Sequence, residues 1–155
     1  MDFLTNFKHI IQDINNEITA KYPTINQGGC GAYALYMGQM LKEFGFDIKF
    51  CLLSNTYKTR EIIIPNEYDF NTFKKIPFGH IILCYNNVYF DAKQWVKHPY
   101  NINPPFCYLL PGYINQDVLH DMVEDVSIWN NTFNHNNRLD VANIIKQHIN
   151  DYYWS

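Results

Sequence analysis

The stretch GHIILCYNNVYFDA, residues 79–92, decides how this chain folds. Two runs of β-forming residues flank Asn86-Asn87, and a pair that tolerates positive φ between such runs is a hairpin signal. If Asn86-Asn87 form a two-residue turn, Tyr85 pairs with Val88, Ile82 faces Asp91 and His80 faces Lys93. Side chains alternate faces along a strand, so His80 and Asp91 then lie diagonally on one face. Diagonal neighbours sit roughly 7–8 Å apart at the backbone, which an imidazole and a carboxylate can span. Cys84 and Tyr89 share that face, while Ile81, Leu83, Val88 and Phe90 line the other. A turn one residue longer or shorter would separate the two polar groups.

Upstream, PTINQGGCGAYALYMGQMLKEFG (residues 23–45) opens with turn formers and continues as a helix. Ala34, Met37, Leu41 and Phe44 share one helical face, and Gly45 suits the C-terminal cap. Cys30 therefore falls at or beside the first turn. A thiol attacks a carbonyl as thiolate, and a helix N-terminus favours that charge through its free N–H groups and dipole. Gly28 and Gly29 allow a sharp turn before Cys30, and Gly31 reduces crowding around the sulfur. A thiolate nucleophile needs a base, and the base needs an orienting acceptor. Cys30, His80 and Asp91 supply one of each. Each also has a plainer reading: a buried thiol, a strand-end histidine bonded to backbone, and a turn-forming aspartate.

The remainder reads as one domain over residues 1–155, without internal repeats or a long linker. Phe3, Phe7, Ile10, Ile11, Ile14 and Ile18 predict an amphipathic helix that ends before Pro23. Asp47 to Leu53 predicts a strand, as do Glu61–Ile64 and, between Pro104-Pro105 and Pro111-Gly112, Phe106–Leu110. Residues 66–77 read as a loop. Val118, Met122 and Val126 mark one C-terminal helix, and Leu139, Ala142, Ile145 and Ile149 mark the last. Trp95 suits either a wall over the His80–Asp91 contact or ordinary core filling.

Composition narrows the function. The net charge of −3 gives no footprint for nucleic acid or an anionic membrane surface. No apolar run reaches the ~18 residues of a membrane span, and the N-terminal stretch lacks a signal-peptide pattern. A cytoplasmic protein is expected, in host cytoplasm or a virion if the gene is viral, since abundant Asn, Ile, Lys and Tyr suit an AT-rich genome of a virus, phage or bacterium. Cys30, Cys51, Cys84 and Cys107 form no CxxC pair and are expected as free thiols. His98, His120, His135 and His148 lack ligand spacing with acidic partners, Asp121, Glu124 and Asp125 read as a solvated helix face, and GGCG lacks the rest of a P-loop. No cofactor or metal is expected.

Cys30-Gly31 followed by AYALYMGQMLKEFG resembles the nucleophile helix of papain-like cysteine peptidases. Within that superfamily it is most similar to the bacteriocin-processing peptidases that cleave double-glycine leaders. Those place a His at the start of one strand and an Asp at the end of the next, as GHIILCYNNVYFDA does. Transglutaminase-like and arylamine acetyltransferase-like proteins share the order Cys, His, Asp. The resemblance covers about residues 24–45 and 78–95. It implies an α+β fold with the nucleophile helix packed on a small antiparallel sheet, flanked by N-terminal and C-terminal helices. It implies Cys30 as nucleophile, His80 as base and then acid, and Asp91 as its orienter. Papain-like enzymes also carry an oxyanion-hole Gln ahead of the nucleophile. Gln27, three residues before Cys30, and Gly29 are the candidates here, with Thr24 at the more usual distance. The expected function is a thiol-dependent peptidase, isopeptidase or glutamine amidase acting on a peptide or protein. An acyltransferase or transglutaminase on the same triad, or a phage or viral scaffold that has lost the chemistry, are the alternatives.

Overall fold

The computed structural model describes residues 3–26, 28–54, 67–68, 80–98, 101–102, 108–109, 113–124 and 133–154. The chain is α+β. Its elements run α1 (Phe3–Lys21), α2 (Cys30–Glu43), β1 (Lys49–Ser54), β2 (Glu67–Tyr68), β3 (His80–Tyr85), β4 (Val88–Phe90), β5 (Trp95–Val96), β6 (Tyr108–Leu109), β7 (Tyr113–Ile114), α3 (Gln116–Glu124) and α4 (His135–Trp154).

The sheet is small and mostly antiparallel. Its order is β2-β7-β1-β3-β4-β5, with β6 also on β1, and only β2 and β7 among these pairs run parallel. The β3–β4 register is Tyr85 with Val88, Cys84 with Tyr89 and Leu83 with Phe90. Asn86 and Asn87 have φ of 48° and 63°, the backbone of a type I′ turn. The hairpin therefore has the register its sequence implies, and the alternation of faces follows. Ile81, Leu83 and Phe90 join the main core, while Ile82, Cys84 and Tyr89 join a smaller cluster with Cys51, Leu53 and Ile102.

Between the sheet and the outer helices lies α2, which packs on β3 and β1 and on α3 and α4. The sequence predicts one apolar stripe on it. Instead, ten of its residues from Cys30 to Leu41 are buried, on nearly every side. Small residues make this possible. A Cβ on Gly38 would lie 2.4 Å from Phe50 Cε1, so the helix and sheet meet where a side chain is missing. The helix ends as expected at Gly45 (φ +91°), whose N–H donates to Lys42 O at 2.9 Å while Phe46 N–H donates to Leu41 O at 3.1 Å. This is a Schellman closure.

On α1, Phe7, Ile10, Ile11, Ile14 and Ile18 are all buried, and burying each is worth ~1.5–3 kcal/mol over leaving it exposed. The last helix departs from expectation. Leu139 is 45% exposed, and the buried stripe runs instead through Arg138, Val141, Ile144 and Ile145. Arg138 sets that phase, because its Nη1 donates to Phe133 O at 3.1 Å and Nη2 reaches Glu124 Oε2 at 3.7 Å. Strands β5 and β7 are additions to the expected elements, β2 falls in the expected loop, and the strand expected over Phe106–Leu110 is described at Tyr108–Leu109. The strand expected at Glu61–Ile64 lies outside the described residues, as does Val126. Trp95 stacks on Phe90 with centroids 4.2 Å apart and packs against the main core, so core filling describes it.

Candidate active site

Cys30 is the first residue of α2, and a tight turn delivers it. Ile25 N–H donates to Tyr22 O at 3.1 Å, and Gly29 N–H donates to Ile25 O at 2.7 Å. Gly28 has φ +107°, which a residue with a side chain rarely adopts. Gly29 is required for space instead: a Cβ there would lie 2.7 Å from Ile25 O and 2.8 Å from Ile25 Cγ1. The two glycines thus let the chain double back over Ile25 before the helix starts.

The helical bonding begins with Tyr33 N–H to Gly29 O at 3.0 Å, and no side chain caps the N-terminus. The N–H groups of Cys30, Gly31 and Ala32 therefore precede the first helical bond and point out of the N-terminal end of α2, the end at which Cys30 lies. The expectation for Gly29 as an oxyanion donor needs correction. Its N–H is committed to Ile25 O, which leaves the three amides after it as the backbone donors. Gln27 lies outside the described residues, and Thr24 is exposed.

His80 is the first residue of β3, and Asp91 directly follows β4. His80 Nε2 lies 2.9 Å from Asp91 Oδ2, with both side chains buried. On its other side the His80 imidazole meets the Cys30 sulfur, which accepts from the ring when the ring is protonated. With Nε2 on Asp91, Nδ1 is the ring nitrogen left for that sulfur. Burial pulls the imidazole toward neutrality. The bonds to Asp91 and Cys30, and the charges of both, outweigh it and raise the pKa to about 9. These partners hold His80 toward the imidazolium, which donates through Nε2 to the carboxylate.

Asp91 is held in turn. Burial pushes its carboxyl up, but the His80 bond, backbone donors, the His80 charge and Gln94 hold it below the usual range. Oδ1 accepts from Lys93 N–H at 2.8 Å and Gln94 N–H at 3.1 Å. Oδ2 accepts from Asn26 Nδ2 at 3.2 Å and Gln94 Nε2 at 3.3 Å in addition to His80. Lys93 Nζ also donates to Pro23 O at 2.5 Å. The turn before Cys30 and the loop after β4 are thereby tied together, and this sets Cys30 against the hairpin's open end.

Asn26 and Gln94 are the contacts that sequence reading missed. Among the described residues, Asn26 Oδ1 is buried without a hydrogen-bond partner once Nδ2 faces Asp91. Neither residue carries a motif, and only the closure of the 23–29 turn onto the hairpin reveals them. Among the described residues no three His, Cys, Asp or Glu side chains gather as a metal site requires, and none of their helices is long and apolar enough to cross a membrane.

The structure brings Cys30, His80 and Asp91 into one buried row, sulfur to imidazole to carboxylate. Such a row can hold a thiolate beside a proton donor and return that proton later. No family model matches the chain, and no curated protein or solved structure matches it either.

Proposed function

We propose that this protein is a thiol-dependent acyl-transfer enzyme, a peptidase, isopeptidase or glutamine amidase of papain-like type. The observation that carries the reading is His80 bonded on one side to Cys30 and on the other to Asp91. Cys30 thiolate attacks the substrate carbonyl carbon, forming a C–S bond and an oxyanion that the Cys30–Ala32 amides face. As the oxyanion collapses, the C–N bond breaks and His80 gives its proton to the leaving amine. Water then adds to the thioester as neutral His80 takes its proton. The C–S bond breaks, and thiolate and imidazolium are restored. An amine in place of water makes the same site an acyltransferase or transglutaminase.

One observation favours a second reading, a scaffold with its chemistry lost. Cys30 is only 4% exposed, so a substrate needs the residues around it to part. A cysteine-directed electrophile with peptide mass mapping separates the two, using a Cys84→Ser background to remove a half-buried competing thiol. The enzyme reading expects fast labelling of Cys30 that His80→Ala slows by ~10²-fold or more. Labelling of Cys30 that is slow and indifferent to His80 would establish the scaffold instead.

A further inference from the structure

A pair of thiols, Cys51 and Cys84, lies on the sheet in addition to the thiol of Cys30. In the β1–β3 register Cys51 pairs with Ile82 and Lys49 with Cys84, so Cys51 and Cys84 are diagonal neighbours on one face. Both belong to the same side-chain cluster, and each shifts the titration of the other. Cys51 is buried among Leu53, Ile82 and Ile102, and Cys84 is half-buried at the margin of that cluster.

The surroundings of the two sulfurs differ. Tyr89 stands directly opposite Cys84 on β4, and Cys51, the Asn87 backbone and the Tyr89 hydroxyl all favour the Cys84 thiolate. Lys49, opposite on β1, adds positive charge. Cys51, helped by these groups and opposed by burial, holds the Cys84 thiol below its ordinary pKa. Cys51, which is more deeply buried, is pushed up. A part-exposed thiol held toward thiolate, with a second thiol in contact, is the arrangement of a sensing cysteine beside its resolving partner.

We propose that Cys84 and Cys51 form a reversible redox pair that responds to hydroperoxides. Cys84 thiolate attacks a peroxide oxygen. The S–O bond forms as the O–O bond breaks, and hydroxide or alkoxide leaves. Cys51 sulfur then attacks the Cys84 sulfenic acid, giving up its proton. The S–S bond forms, the S–O bond breaks and water departs. The peroxide takes two electrons and the thiols lose them. A small thiol such as glutathione reverses the step by exchange. Diagonal neighbours stand roughly 7–8 Å apart, just beyond the ~4.4–6.8 Å Cα separation that disulfides span, so closing the bond draws β1 and β3 together and leaves it strained and readily reduced.

This inference does not rest on the proposed acyl-transfer activity. Its test is peptide mapping of the full chain after stoichiometric hydrogen peroxide and alkylation, without reductant. The expected result is a Cys51–Cys84 linked peptide that disappears on reduction. In Cys51→Ser, Cys84 stops at sulfenic acid and is caught by dimedone. In Cys84→Ser, Cys51 stays alkylatable. A wild-type map in which Cys84 stays reduced, proceeds to sulfinic acid unlinked, or links to Cys30 or Cys107 overturns the proposal, whatever the folding of the variants.

Discussion

His80 and Asp91 stand one diagonal step apart across β3 and β4, and their Nε2 and Oδ2 atoms close to 2.9 Å. The pair is buried, so the ion pair persists only because each charge has other partners. Five hydrogen bonds converge on the two Asp91 oxygens, two of them from the backbone just after β4. This is the satisfied form of a buried pair, in which losing one member leaves the other stranded.

The raised His80 pKa makes stability depend on pH with a definite sign. Protonated His80 is favoured in the folded state, so its contribution is full below 6.5, the ordinary value, and is lost as pH rises through about 9. At 1.36 kcal/mol per unit the difference is up to ~3 kcal/mol. Asp91 acts oppositely, stabilising above its ordinary value near 3.8 and losing that contribution as pH falls through its lower folded value. Urea denaturation from pH 5 to 10 is expected to show the alkaline loss, and His80→Gln is expected to flatten it. An unchanged slope in that variant would remove His80 as the titrating group.

Asp91→Asn keeps the shape but offers one acceptor oxygen where two meet five donors. It is expected to cost ~3–5 kcal/mol of stability, as removal of one member of a buried pair does. The His80 pKa, followed by NMR of the imidazole, is expected to fall markedly. Alkylation of Cys30 at neutral pH is expected to slow by ~10²-fold. A His80 pKa unmoved by the change would mean that Asp91 does not hold the imidazolium.

The hairpin was legible in the sequence because its determinants are local: a two-residue turn and strict alternation fix which residues share a face. Cys30 at a helix start was legible for the same reason. Asn26 and Gln94 were not, since their meeting at Asp91 depends on a turn and a loop distant in sequence. Four strands of two residues each are too short to show any period, and three of them, β2, β5 and β7, were not expected. Leu139 fits an apolar stripe by spacing, yet Arg138 takes the inward position, where Phe133 O and Glu124 meet its Nη1 and Nη2. A buried arginine with named partners overrides a pattern that counts only apolar residues.

Two glycine substitutions test whether the turn before Cys30 is tuned for reactivity as well as for folding. Gly29→Ala would press a Cβ onto Ile25 O, which is backbone and cannot yield without moving the start of α2. Gly38→Ala would press on the Phe50 ring, two turns further along the helix. Both overpack the core and are expected to cost ~1–3 kcal/mol. Only Gly29→Ala is expected to slow Cys30 alkylation under conditions where both variants remain folded by circular dichroism. Equal slowing in the two would mean that the reactivity follows general stability.

The turn offers the most direct test of register. With Asn86 and Asn87 both at positive φ, Asn87→Gly relieves backbone strain and is expected to change stability by under ~1 kcal/mol, leaving Cys30 labelling intact. Inserting one glycine between Asn86 and Asn87 acts differently. If β4 shifts by one residue against β3, every β4 side chain changes face, and Asp91 moves away from His80. Cys30 alkylation is then expected to lose its dependence on His80, and the imidazole pKa to fall. The hairpin has a second option, absorbing the extra residue as a bulge that keeps the register. Amide cross-strand contacts by NMR distinguish the two, since Leu83 opposite Phe90 survives only with the bulge. A shifted register that retained full His80-dependent reactivity would sever the link between hairpin geometry and the site.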